Sequence, residues 1–246
     1  MNSFWLPAFT LWQRELIRFW RQKSRIMGVV ASPLIFWLLI GYGSSDLARF
    51  YAGSLVLTVM FSAIFSTITI IEDRREGFLL SMLVSPAPRS SLVLGKILGA
   101  ATLAWIQGLI FLAFAPLAGV RVAPLELLPV AAAIFLISFT LTGLGFVIAW
   151  KMESTSGFHA IMNLLLLPMW LVSGALFPMA TASGWIRAIM WVNPLTYSIA
   201  LLNHVLRLPN ASPGAFESLI VTAAFGLLLL AACGAMAAQK ATRSAA

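Results

Sequence analysis

Six stretches of this chain, residues 26–43, 52–71, 97–118, 127–150, 160–177 and 218–238, run 18 to 24 residues each without one Asp, Glu, Lys, Arg or His. A helix rising about 1.5 Å per residue needs about 20 apolar residues to cross the hydrocarbon of a bilayer, where an unsatisfied backbone group is too costly to leave. Each stretch meets that demand, so the pattern predicts an all-α polytopic membrane protein with six transmembrane helices. With 61% hydrophobic and 10% charged residues in 246, the chain has no sequence left for a separate water-soluble core. About 25 amphipathic residues precede the first run, which reads as a retained span and not as a cleaved signal.

The formal charge of +8 does not point to nucleic acid, because the basic residues sit in short clusters between apolar runs. Membrane orientation accounts for that spacing. With the N-terminus inside and six crossings, Arg14, Arg18, Arg21, Lys23, Arg25, Arg74, Arg75, Arg89, Lys96, Lys151, Lys240 and Arg243 are cytoplasmic, against Arg49, Arg121, Arg187 and Arg207 outside. The expected location is a bacterial inner membrane, with both termini in the cytoplasm. Residues 185–206 are also long and apolar, but Asn193-Pro194 interrupts them. The preferred reading is a re-entrant or surface-lying helical hairpin before the last span, within an external segment 178–215; a seventh crossing is the alternative.

Residues 1–25 read as an amphipathic helix. At 100° per residue, Trp5, Phe9, Trp12, Leu16, Phe19 and Trp20 share one face, while Arg14, Arg18, Arg21 and Arg25 occupy the opposite one. Such a helix lies in the cytoplasmic headgroup layer, rings at the acyl boundary and guanidinium groups toward phosphate or solvent. It serves as an anchor and topology determinant, or as a connecting helix that also touches a cytoplasmic partner.

The cytoplasmic segment 72–91 carries the most information. Glu72, Asp73, Arg74, Arg75 and Glu76 are five consecutive charges, followed by Gly77 and an apolar stretch with Phe78, Leu79, Leu80, Met82 and Leu83. Pro86, Pro88 and Arg89 form an elbow, after which Ser90 or Ser91 is placed to cap the next helix. A solvated loop has no need of five large apolar residues, so lipid or another protein must cover them. A charged flank that fixes topology accounts for part of the run.

The run EDRREGFLLSMLVSPAPRSSLVLGKILGA resembles the loop between the second and third spans of type-2 ATP-binding cassette (ABC) permeases, with its charged stub, short helix, proline elbow and following Gly-Lys. A second region, LLLPMWLVSGALFPMATASGWIRAIMWVNPLTYSIALLNHVL, is similar to that family's fifth span and the Asn-Pro turn after it. The resemblance implies a permease domain over 26–246 that pairs with a second permease copy, a homodimer by preference, and with two cytoplasmic ATP-binding subunits. ATP and Mg would be held by those subunits, with no cofactor in this chain. Carried over by position, 75–88 would be the coupling helix seated in the ATPase, 151–157 a second contact, and Pro178, Trp185, Trp191, Asn193, Pro194 and Tyr197 part of the outer re-entrant segment.

No catalytic constellation accompanies these features. Gly95-Lys96 is the one fragment like a phosphate-binding loop G-x-x-x-x-G-K-[ST], and both its ends fail, with Ser90 where the first Gly is needed and Ile97 after the Lys. Gly95 and Gly99 form a Gly-x-x-x-Gly pair suited to helix packing. His159 and His204 lie on opposite predicted sides, and Cys233 sits alone in the last span. A secondary carrier would place ionisable groups inside its spans, and the six stretches hold none. The expected function is therefore an ABC exporter permease; an ATP-independent channel or carrier, or a non-transporting assembly subunit, is the alternative.

Overall fold

The computed structural model describes the backbone of residues 4–21, 23–43, 46–209 and 211–244, with side chains described there except at 23–30, 83 and 239–244. Among the described residues the secondary structure is helical throughout, with no strand. The helices are α1 (Trp5–Trp20), α2 (Lys23–Gly43), α3 (Tyr51–Thr67), α4 (Thr69–Arg75), α5 (Phe78–Val84), α6 (Arg89–Leu112), α7 (Leu127–Lys151), α8 (Thr155–Trp170), α9 (Gly184–Val192), α10 (Pro194–Val205) and α11 (Ala215–Ser244). Among the described residues five helical stretches are long and apolar enough to cross a membrane, Tyr51–Arg75, Arg89–Leu112, Pro124–Lys151, Thr155–Ala175 and Ala215–Ala238, and the part of α2 whose side chains are described, Ala31–Gly43, is apolar as well.

A helix apolar on every side must be covered on every side, and α3 is that element. Nearly all its residues are buried, and α2, α6 and α7 surround it. At its foot the hydroxyls of Ser66, Thr67 and Thr69 donate to the carbonyls of Ser62, Ile64 and Ser66 (2.7, 2.7 and 2.9 Å). Back-bonding of this kind bends helices, and the chain passes from α3 into α4 there. Outward from this core lie α8 and α11, whose Leu164, Leu165, Leu227 and Leu228 are exposed.

Several boundaries differ from the sequence expectation. The third span begins at Arg89 and not at 97, because Pro88 itself takes the N-cap position, with φ −60° and ψ 130°. Neither Ser90 nor Ser91 caps it; Ser91 Oγ donates to the Phe4 carbonyl of α1 instead. That span also ends at Leu112, short of 118, where Pro116 opens a 3-10 turn over Ala115–Ala118. The apolar run expected over 160–177 is α-helical to Trp170 and then widens into a π turn over Leu171–Ala175.

Residues 185–206 fold as two helices divided at Asn193. With 12 residues, α10 reaches about 18 Å, short of a bilayer's hydrocarbon thickness. Arg89 at the start of α6 donates to the carbonyls of Ala237 and Ala238 in α11 (3.5 and 3.3 Å). The far part of α11 therefore lies at the same end of the bundle as α5 and the last turn of α7.

Candidate functional site

The site is built where α1, the α4–α5 corner and the start of α6 meet. Ala8, Leu11, Glu15 and Phe19 form a stripe at helical spacing along the buried face of α1. That stripe lies against α6 at Gly95 and Gly99. A methyl group added at Gly95 would come 2.5 Å from the Ala8 carbonyl oxygen, and one at Gly99 would come 2.8 Å from Glu15 Cβ. Absence of side chains at two positions one turn apart is what lets the backbones approach. Trp12 Nε1 donates to Thr102 Oγ1 at 3.1 Å, further along the same seam. Phe4 beside Ser91, Ala8 beside Gly95 and Trp12 beside Thr102 show that α1 and α6 run in the same direction.

The aromatic face expected of α1 is divided by this docking. Trp5, Phe9 and Trp20 are exposed, but Phe19 is buried and Trp12 is half-buried. A groove of about 750 Å³ opens beside Trp5, Phe9, Trp12, Leu98 and Thr102. Of the four arginines expected to face phosphate or solvent, Arg21 is exposed, Arg25 lies outside the described side chains, and Arg14 and Arg18 turn into the protein.

Both are drawn to Asp73, whose side chain has no exposed surface. Arg14 Nη2 lies 3.0 Å and Arg18 Nη1 2.9 Å from Asp73 Oδ1, while Lys96 Nζ meets Asp73 Oδ2. Lys96 also reaches Glu15 Oε1 at 3.0 Å, and Arg18 Nη2 reaches Glu72 Oε2 at 2.7 Å. Three cations thus face three close carboxylates, with the exposed Glu76 a further partner 3.9 Å from Arg18, and a buried group of charges needs such opposite partners. Burial pulls the Arg18 guanidinium toward losing its proton, but Asp73, Glu72 and Glu15 outweigh it, and the net shift is upward.

Asp73 and Lys96 belong to the long apolar helices. The apolar stretches are uncharged as bounded, yet the helices extend past those bounds, and buried ionisable groups sit in the extensions. Glu15 was not singled out in the sequence. Its signal is that it is the one carboxylate before Asp46, on a helix otherwise basic, and lies at the margin of the apolar face.

The two arginines of the stub brace α7. Arg74 donates to the carbonyls of Met152 and Trp150 (2.7 and 2.6 Å), and Arg75 Nε to that of Glu153 (3.3 Å). Cations at a helix C-terminus satisfy carbonyls that lack intrahelical partners and oppose the helix dipole. The segment 151–157 is thereby fixed to the corner that carries α5.

Gly77 makes the corner itself. Its φ of +75° is a left-handed conformation that side chains resist, and α5 starts immediately after it. Arg14 stacks on the Phe78 ring at 3.8 Å from the centroid, so one guanidinium joins α1, α4 and α5. Leu79 and Met82 are buried, whereas Leu80 and Val84 are 65% and 78% exposed, and Pro86 is exposed. The Leu83 side chain lies outside the described residues. The segment read as one contact surface therefore splits in two. Asp73, Arg74 and Phe78 are committed to internal contacts, with half-buried Glu72 and exposed Arg75 as braces and exposed Glu76 3.9 Å from Arg18, while Gly77, Leu80, Val84 and Pro86 face outward.

At the opposite end, Trp185 and Trp191 are exposed on α9. Pro178 precedes a 3-10 turn over Met179–Thr181, and Pro194 occupies the first turn of α10, where its missing N–H costs nothing. Tyr197 is buried, and its hydroxyl donates to the Trp191 carbonyl at 2.9 Å. Asn193 is buried between α8 and α10.

Comparison with known proteins agrees with this architecture. Over 205 residues the chain is 28% identical to a protein of Cyanophora paradoxa named as transport permease ycf38, covering 78% of this chain and 71% of that one. The protein of the same name from Porphyra purpurea is 25% identical over 209 residues, with the same shares covered. The linearmycin resistance permease protein LnrN of Bacillus subtilis (strain 168) is 26% identical over 167 residues, 68% of this chain and 43% of that relative. The description of ABC-2 type transporters matches residues 8–206, from the docking face of α1 through α10, and the chain belongs to that family.

Proposed function

We propose that the chain is the membrane permease subunit of an ABC exporter, coupled through the outward face of α5 to ATP hydrolysis in a separate subunit. The observation that carries this reading is the pairing of exposed Leu80 and Val84 with a corner braced from both sides, by α1 through Asp73 and by α7 through Arg74. A force applied to α5 is then delivered to α4, α6 and α7 together and is not lost in a flexible loop. The corner also lies at the end of the bundle that carries most of the basic residues, which the positive-inside rule assigns to the cytoplasm.

In this reading α2, α3–α4, α6, α7, α8 and α11 are the six spans, with α9–α10 as a re-entrant pair on the outer side. The short reach of α10 and the meeting of Arg89 with Ala237 and Ala238 support an even number of crossings. A second permease copy and two ATP-binding subunits complete the assembly in a bacterial inner membrane. ATP and Mg are held by those partners.

Leu80→Asp with Val84→Asp tests it. Both side chains are exposed, so the free chain is expected to keep its stability within about 0.5 kcal/mol. Placing two carboxylates in a desolvated contact is expected to reduce co-purification of the ATP-binding subunit at least tenfold. Retention of the full complex together with ATP-dependent transport would refute the proposed contact.

A further inference from the structure

Resting on the permease reading above, we infer that Asn193 is a positioning residue for the outer end of the transport path, its amide latching the π turn of α8 to the outer helix pair. At Leu171–Ala175 the α-helix gives way to a wider turn, with Val172 at φ −97°, ψ 28° and Gly174 at φ +90°. Such single-turn departures leave carbonyls poorly aligned with the regular ladder and occur often at functional sites. Asn193 Nδ2 donates to two carbonyls of this region, Met169 at 2.6 Å and Val172 at 3.3 Å.

The same side chain caps the next helix. Asn193 Oδ1 accepts from the Leu195 amide at 3.0 Å, the N-cap contact of α10. One buried amide therefore satisfies two acceptors on α8 and one donor on α10. Just before the turn, Trp170 Nε1 donates to the Gly53 carbonyl at 2.8 Å, and Ala175, the last residue of the turn, sits against Gly53. Trp170 and Ala175 thus rest the two ends of the turn on the core helix α3, while Asn193 ties Met169 and Val172 to α10. With the latch closed, the outer pair and the top of α8 form one body. With it open, 171–177 is free to change its winding, which alters the direction in which α8 leaves the core.

The two ends of the Asn193 side chain can be separated chemically. Asn193→Ser keeps a capping oxygen for α10 but is too short and lacks the amide donors for α8. Hydrogen exchange on the chain in lipid nanodiscs is expected to accelerate on the order of tenfold at 171–177, about what two lost hydrogen bonds represent, and to remain unchanged at 195–205 and 51–67. Asn193→Asp, which also keeps the acceptor, is expected to give the same local pattern. Unchanged exchange at 171–177 in both variants overturns the latch; so does acceleration spread evenly over all three segments, which would make Asn193 a general fold residue.

The transport link is read in the chain assembled with its ATP-binding subunits, with and without ATP and vanadate. Native protein is expected to change exchange at 171–177 on nucleotide trapping, and Asn193→Ser to show the accelerated rate in both states. If the native assembly transports but 171–177 does not respond to nucleotide, the positioning role is overturned and the permease reading stands; if the chain neither assembles with ATP-binding subunits nor transports, the permease reading fails while the local contact is still read in nanodiscs. If both respond equally, the latch fails and the permease reading stands.

Discussion

Replacing Asp73 by Ala is expected to remove most of the folded protein. The substitution leaves Arg14, Arg18 and Lys96 with Glu15, Glu72 and the exposed, more distant Glu76, and Lys96 itself is almost completely buried. Removing one member of a buried ionic group costs about 3–5 kcal/mol, because the charges left behind are neither solvated nor paired. That is a large share of a typical stability of about 5–15 kcal/mol. Yield of monodisperse protein by size-exclusion chromatography, and its unfolding temperature in detergent, measure the loss. Adding Lys96→Met to Asp73→Ala removes the most deeply buried of the cations left without Asp73. The double variant is expected to recover a substantial part of the folded yield, as coupled neighbours do. Equal losses in the single and double variants would mean that the cluster is not organised by charge.

Gly95→Leu is expected to expel α1 from its seat. The first carbon of any side chain there falls 2.5 Å from the Ala8 carbonyl oxygen and 2.9 Å from Ala8 Cα, both backbone atoms that cannot rotate away. Overpacking alone costs about 1–3 kcal/mol, and separation of α1 from α6 also parts Glu15 from Lys96. Gly234→Leu in α11 is the control, since a side chain there meets nothing within 4 Å. Trypsin reads the outcome. Arg14 and Arg18 are partly buried and paired in the native protein, so cleavage after them is expected to be at least tenfold faster in Gly95→Leu than in Gly234→Leu. Equal cleavage would show that α1 does not depend on the glycine groove.

The all-helical, multi-span character was legible because the bilayer admits so few solutions: an uncharged run of about 20 residues has one cheap conformation, and among the described residues five of the expected runs fold as helices long and apolar enough to span. The Asn193-Pro194 break and the short helix after Gly77 were legible for similar local reasons, a proline that cannot continue a helix and a glycine free to turn it. What the pattern left hidden was partnership. A helical wheel ranks Arg14 and Arg18 by direction alone, and both directions, solvent and Asp73, lie on the same side of α1. Only the approach of α1 to Gly95 and Gly99 decides between them. Lys96 looked like the tail of a phosphate loop or a topology signal because its meaning depends on Glu15, 81 residues earlier in the chain. The exposed part of α5 was obscured for the opposite reason, since a run such as Phe78–Val84 does not announce which residues its own corner consumes.

Site-specific photo-crosslinking in intact cells tests the central claim most directly. A photoreactive residue at Leu80 is expected to capture an ATP-binding subunit, and the same residue at Trp185, on the opposite end of the bundle, to capture none. Capture from Trp185, or the absence of any ATP-binding subunit from Leu80 while the assembly transports, would contradict the account.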